Sequence, residues 1–383
     1  MMAPMQRPRP LSAATVLTAV TDATDATDQS IEADPDGRSL NSADFEAETQ
    51  SLTPSVQDVL HEYGRTYQKW KAGAYPFPND ELEYDRLKWQ HILFKVLLND
   101  RNWFAPLTGL PQKRPRAILD IGCGTGSWCR QIALEFPRSR VEGIDLTPPP
   151  KRMIKDSPEN LFFNIDDIRD KIWWGLANGH TYDYIHTRMM LGIFHDFREI
   201  IQKCFNNLEP GGWMESQELD NKVCCDDGTM PADWPLLEWS KDQNQAAQDI
   251  LGTPLRIANK LKMWYEQAGF VDVREEVFYI PINEWAKDPR LKLLGKFMMH
   301  NMQAGLYGWS VNYFNRAWGW TEPEVRVKLA RVHNSLFDKN VHAYYKVFVV
   351  YGRKPRVGEP PSRVPKPDHW PTADNSYNDD DDL

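Results

Sequence analysis

Three glycines and four carboxylates stand in the middle of the chain in an order that suits a nucleoside. The run Ile118-Leu119-Asp120-Ile121-Gly122-Cys123-Gly124-Thr125-Gly126 sets one acid inside an apolar stretch and closes it with alternating glycines. Glycines at such a turn let the backbone approach a ligand without Cβ collisions. The helix-compatible stretch from Ser127 to Phe136 offers its unpaired N–H groups behind them. Asp145 follows 19 residues after Gly126, where a carboxylate can accept from both hydroxyls of a ribose. Of Asp166 and Asp167, one can accept from an adenine amine, and Asp167, beside apolar Ile168, is preferred. Asp120, inside its strand, costs free energy unless it is hydrogen-bonded or meets a cation.

These details separate two cofactor classes. A dinucleotide turn needs G-x-G-x-x-G with a pyrophosphate at the helix N-terminus. Here the third glycine falls at 126, Ser127 holds the position the fingerprint would use, and Asp120 would repel a pyrophosphate. A cationic, phosphate-free ligand with a ribose and an adenine fits better, and S-adenosylmethionine is such a ligand.

The elements that must place these residues are legible as an alternation. Strands are expected at Ala117–Ile121, Arg140–Asp145, Leu161–Ile165, Tyr182–His186 and Trp213–Gln217, with helices between them. That pattern argues a parallel, doubly wound sheet, whose ligands bind at the carboxyl ends of the strands. Before it, residues 53–110 read as an N-terminal helical segment packing on the cofactor site. Val56–Leu60 and Tyr63 begin a helical pattern, and a long helix follows from about Glu81 to Leu98, capped by Asn79 or Asp80. After it, Asp220 to Pro235 reads as an irregular loop, Leu236–Ile250 and Pro254–Ala268 as helices, and Val271–Pro281 and His342–Arg353 as a closing antiparallel pair.

The run from Ile118 to Gly126, with Asp145, resembles motif I and its acidic follower in class I S-adenosylmethionine-dependent methyltransferases. Glu62-Tyr63-Gly64-Arg65-Thr66-Tyr67, Pro78-Asn79-Asp80-Glu81, Asp85-Arg86-Leu87, Gln90-His91, Tyr182-Asp183-Tyr184-Ile185-His186-Thr187-Arg188 and Leu208-Glu209-Pro210-Gly211-Gly212-Trp213 are similar to the fungal LaeA-like methyltransferases. The likeness covers roughly 55 to 355. It implies a Rossmann-like α/β fold with a mostly parallel seven-stranded sheet and a methyltransferase domain over 111–354. On this resemblance Gly122, Gly124 and Gly126 cradle the methionine part of the cofactor, with Asp120 and Cys123 in the same turn. Asp145, followed by Leu146, takes the ribose. Asp167 reads the adenine, with Asp166 and Ile168 beside it. Tyr67 and Tyr75 cover the cofactor. Position 63 is often Asn in the family; Tyr63 departs from that and takes no role.

Residues 283–341 form an insert between the last two strands, rich in Met and aromatics: Trp285, Phe297, Met298, Met299, His300, Met302, Tyr307, Trp309, Tyr313, Phe314, Trp318 and Trp320. We expect helices whose side chains mostly pack together, a minority lining an apolar acceptor pocket. An oxygen or nitrogen acceptor also needs a proton removed; the candidates are His186, His195, Glu218 and His300, with His186 at the end of the fourth strand favoured as the catalytic residue. Asp183-Tyr184-Ile185-His186 stands where an Asn-Pro-Pro-Tyr motif would mark amino-methylation of adenine or glutamine.

The expected function is methylation, most simply O-methylation, of a small apolar secondary metabolite. The alternative is a LaeA-like regulator acting through protein partners. A net charge of -9 argues against broad nucleic-acid binding. Five cysteines without CxxC spacing argue against disulfides and metal and for a reduced compartment, cytoplasmic or nuclear. No apolar run reaches the roughly 20 residues of a membrane span. Residues 1–52, with few large apolar groups, are expected to be a disordered extension, and 355–383 a disordered acidic tail.

Overall fold

The computed structural model describes residues 58–73, 75–110, 114–155, 157–170 and 181–365. The expected disordered extension and the acidic end of the chain lie outside the described residues.

The chain enters as a hairpin, β1 (Val59–Glu62) and β2 (Arg65–Gln68), paired antiparallel. This corrects the helical reading at Val59, Leu60 and Tyr63; Val56 and Gln57 lie outside the described residues. The two loop residues, Tyr63 and Gly64, both have positive φ, 52° and 71°, the handedness a two-residue hairpin turn demands. The Tyr63 conformation is supported from outside: its hydroxyl donates to Asn315 Oδ1 at 2.7 Å, and its carbonyl accepts from the Tyr307 hydroxyl at 3.0 Å. Helix α1 (Glu81–Leu97) follows, capped by Asp80, whose Oδ1 accepts from Glu83 N at 3.0 Å.

The main sheet is laid down by β3 (Ala117–Ile121), β4 (Arg140–Asp145), β5 (Leu161–Ile165), β6 (Tyr182–Arg188), β7 (Leu208–Cys224), β8 (Val271–Pro281) and β9 (Tyr344–Arg353), in the spatial order β5-β4-β3-β6-β7-β9-β8. Strands β3 to β7 pair in parallel and β9 runs antiparallel to both neighbours. This is the Rossmann-like seven-stranded arrangement expected. Strand order reverses between β3 and β6, so a crevice opens at their carboxyl ends.

Strand alternation distributes the side chains. Ile118 and Tyr184 pack on the face of α2 (Ser127–Glu135), with Trp128, Cys129 and Ile132. Leu119, Ile121 and Ile185 pack on the other face, against α4 (Phe197–Asn207) and α6 (Leu261–Ala268). The short helix α3 (Lys151–Lys155) follows β4, and α5 (Pro235–Gln245) follows β7. Strand β7 outruns its expected end at Gln217 because β9 pairs with it as far as Cys224 and Tyr344. Its inner residues Glu215, Ser216, Gln217, Glu218, Asp220 and Asn221 are polar yet buried, which disguises it as a loop.

The insert folds as two helices, α7 (Pro289–Trp318) and α8 (Glu322–Ser335), and α7 packs along α1. Residues 355–365, expected to begin a disordered tail, are tied to the sheet instead: Arg353 donates to Glu359 at 2.7 and 2.8 Å. No helix of the described residues is long and apolar enough to cross a membrane.

Candidate active site

A cavity of about 180 Å³ opens at the strand-order reversal. Its floor is the glycine turn after β3, one side is α1, and its roof comes from α7. Tyr75, Asp120, Gly122, Cys123, Gly124, Asp145 and His186 line it, seven of the sequence-expected residues.

The glycine turn has no room for a side chain at two of its glycines. Gly122 and Gly126 have φ of 70° and 73°; a Cβ on them would lie 2.5 Å from Met190 Sδ and 2.5 Å from the Phe163 ring. Asp145 ends β4; its Oδ2 accepts from Gly124 N at 2.8 Å and its Oδ1 from Thr147 N at 3.0 Å. No cation pairs with it among the described residues, and burial raises its pKa. A carboxylate so placed still has lone pairs for hydroxyl donors.

Asp120 meets protein groups rather than standing bare. The His186 Nδ1–H donates to Oδ1 at 2.8 Å, and the Cys129 thiol donates to Oδ2 at 3.0 Å. Both Asp120 and His186 are buried. The imidazole lies flat on Trp128, with centroids 3.9 Å apart and planes 4° apart, and the Trp128 indole is itself held by a hydrogen bond to the Asn102 carbonyl at 2.9 Å. With Nδ1 committed to the carboxylate, the ring presents Nε2 as an acceptor. That atom is buried and has no partner among the described residues. The other base candidates are elsewhere. His195 is exposed, with Nδ1 on the Gly252 carbonyl, and His300 is exposed against Trp89. Glu218 is buried, accepts from Met190 N at 2.8 Å, and is pushed up to about 8 by burial; it supports the turn at Met189, whose φ is 58°.

Some expected residues are not brought to the cavity. Tyr67 is buried in β2 and does not line it. Asp167, chosen for adenine, is engaged by Arg169, at 2.6 Å, and by Lys71, at 3.7 Å, which hold its pKa down. Neighbouring Asp166 has its pKa raised by burial and makes no ion pair among the described residues. Ile168 packs on the core, and the Leu146 carbonyl accepts from Trp70 Nε1 at 3.0 Å. Gly126 shapes the turn without facing the cavity.

Other residues complete the wall. From the insert come Met298, Met302, Trp309 and Tyr313, four of the twelve side chains named from sequence; Phe314, Trp318 and Trp320 pack on one another. Asn301 and Gln90 accept from Arg86 NH1. Arg188 was given no role from sequence, although its position two residues after His186 puts it on the same face of β6.

The chain matches the family model described as a methyltransferase domain over residues 89–275. It is 37% identical over 328 residues to methyltransferase pytC of Aspergillus terreus, covering 85% of this chain and 96% of that protein. It is 32% identical over 305 residues to the secondary metabolism regulator LAE1 of Cochliobolus heterostrophus, covering 79% and 97%. This chain belongs to the fungal LaeA-like methyltransferase family. It is a class I, S-adenosylmethionine-dependent enzyme. Among solved structures, phosphoethanolamine N-methyltransferase 2 of Haemonchus contortus aligns with a TM-score of 0.39 and 17% identity, over 76% of this methyltransferase and 62% of that chain. The residues present fit the cofactor: a turn in which Gly122 and Gly126 leave no space for a Cβ, beside a carboxylate without an ion-pair partner among the described residues, suits a nucleoside with two free hydroxyls.

Proposed function

We propose that this methyltransferase methylates a hydroxyl of a small apolar secondary metabolite, with His186 as the general base. When bound, S-adenosylmethionine supplies a methyl group already activated on a sulfonium, so the chain must mainly place the acceptor and take its proton. Gly122, Cys123 and Gly124 would let the backbone close on the methionine part, Asp145 would accept from the ribose hydroxyls, and Tyr75 would close one side. At the adenine end Asp166, without an ion pair, is better placed to accept than Asp167, which Arg169 occupies.

The observation that carries the reading is the Asp120–His186 pair, with Nε2 buried and unpartnered on an imidazole that lines a cavity walled by Met190, Met298, Met302 and Trp309. Nε2 would take the proton of the acceptor O–H, and the Asp120 carboxylate would hold the resulting imidazolium in place. The apolar wall keeps competing water out. The relatives support the metabolic setting: pytC and tdiE are named methyltransferases, and LAE1 a regulator of secondary metabolism. The test is His186→Asn. Turnover should fall about 10²–10⁴-fold, while calorimetry shows S-adenosylhomocysteine binding unchanged. Unchanged turnover would remove His186 from the chemistry.

The regulator names among the relatives favour a second reading, in which the same site methylates a protein, or nothing, and the chain acts through protein partners. Incubation with methyl-labelled S-adenosylmethionine and a fungal metabolite extract separates the two. Label in the organic phase supports the first, and label confined to protein supports the second.

A further inference from the structure

Two arginines line the cavity, and their neighbours treat them differently. Arg86, on α1, has its charge met. Glu83 accepts from its Nε at 3.0 Å and from its NH2 at 2.7 Å, and Gln90 and Asn301 accept from its NH1 at 2.6 and 2.9 Å. Arg188, the last residue of β6, has no carboxylate within ion-pair distance among the described residues. It is half-buried, its guanidinium lies 5.1 Å from the centre of the Phe94 ring, and its NH2 donates to His91 Nδ1 at 3.1 Å. His91 offers no charge in return: burial, with Arg188 beside it, pushes the imidazole down to about 3. Burial also lowers the pKa of Arg188 itself. Asp120 and Glu218 act on it through space, but no anion pairs with it directly among the described residues, and a cation partly withdrawn from water in that way is costly unless a ligand brings one.

Its position relates it to the reacting group. Arg188 and His186 are alternate residues of one strand, so they share a face and their Cα atoms are about 6.6 Å apart. A hydroxyl at His186 Nε2 and an oxygen anion at Arg188 would sit on neighbouring positions of one ring or enol. Met190, Leu255, Met298 and Met302 add apolar wall to the same cavity, and of its lining carboxylates Asp120 is already engaged by His186.

Resting on the methyl-transfer reading above, we propose that Arg188 is a specificity-determining residue for an acceptor that carries an anionic oxygen, a carboxylate or an ionised phenol or enol, beside the hydroxyl that is methylated. The guanidinium binds that oxygen and so turns the hydroxyl toward His186. Acceptors of this class are hydroxy-aromatic acids and acidic enols; neutral hydrocarbon-like alcohols lack the group that Arg188 waits for.

The cofactor's own α-carboxylate is the other source of an anion here, and the experiment separates the two. Full-length protein is loaded with S-adenosylhomocysteine and titrated by calorimetry with 2-hydroxybenzoate and with its neutral isostere 2-hydroxybenzamide. The benzoate should bind about tenfold tighter or better, as a charge-assisted pair allows. Arg188→Met should erase that preference and leave the S-adenosylhomocysteine affinity within about threefold, a change worth well under 1 kcal/mol. Arg188→Lys should keep part of the preference and serves if the Met variant does not fold. Equal binding of the two probes by the native protein would overturn the proposal. So would an Arg188→Met variant that loses S-adenosylhomocysteine while still binding 5′-methylthioadenosine, which lacks the carboxylate. Failure of the native protein to bind S-adenosylhomocysteine at all would instead sink the methyltransferase reading beneath it.

Discussion

The molecule holds the same three side chains, Asp, His and Trp, in two places. At the cavity, Asp120 takes the Nδ1–H of His186 at 2.8 Å and Trp128 stacks on the imidazole at 3.9 Å. Near the far end of β9, Asp227 meets His342 Nδ1 at 2.5 Å and Trp285 lies 4.9 Å from that ring. The side chains of the second pair are exposed, at 48% and 37%, against 5% and 1% for the first. Water can serve every lone pair of the outer set, and salt screens its charges. The inner set has no water to lean on. Its Asp is satisfied on both oxygens, its ring is clamped flat beside a cavity, and its one unsatisfied atom is buried. The constellation of residue types therefore says little about chemistry. Enclosure, and a lone pair left over, say more.

That contrast can be broken most sharply at the inner pair. Asp120→Asn leaves the shape nearly unchanged but lets an amide donate where His186 must be held by an acceptor. Methyl transfer should fall about 10²-fold or more, whereas Asp227→Asn should leave turnover alone. Equal effects of the two would remove the distinction. A smaller effect is expected at Gly126→Ala. The new Cβ must occupy a positive φ and displace Phe163, at a cost of about 1–3 kcal/mol, seen in urea unfolding and as weaker S-adenosylhomocysteine binding. A comparable effect is expected in the pH dependence of stability. His91 is held down to about 3 in the folded chain, from an ordinary 6.5. Its neutral form is thus favoured by folding. That stability is present above pH 6.5 and is lost as pH falls from there toward 3. His91→Gln should flatten the fall in urea midpoint between pH 6.5 and 4; an unchanged slope would show that other groups govern it. The smallest effect belongs to His342→Ala, with a change in melting temperature of about 2 °C or less.

Much of this arrangement can be read before folding. Strands β3, β4 and β5 end where Ile121, Ile144 and Ile165 meet a glycine or an acid, a boundary that sequence shows directly. Asp145 and His186 were found because strand ends are where such sheets bind ligands. Strand β7 was cut short for the opposite reason: Glu218, Asp220 and Asn221 are buried with partners that come from other elements, which local polarity cannot announce. The hairpin at 59–68 was hidden because Tyr63 is an unusual residue for a left-handed turn and is held there by Tyr307 and Asn315, far along the chain. Asn301, 215 positions from Arg86, shows the same limit. No pattern within α1 tells which distant helix will close its polar cluster. Arg188 stands in plain view, two residues past His186, yet its meaning depends on no carboxylate pairing with it directly among the described residues.

The methyltransferase-domain match runs from residue 89 to 275 and so begins part-way along α1 and stops before α7. The glycine turn, Asp120, Asp145 and His186 lie inside it. Met298, Asn301, Met302, Trp309 and Tyr313, which roof the cavity, lie outside. Sorting such chains by the shared domain therefore groups them by the methyl donor. To group them by what they methylate, the comparison has to be made on the stretch along α7, where one turn of helix gained or lost would redraw the roof without touching the floor.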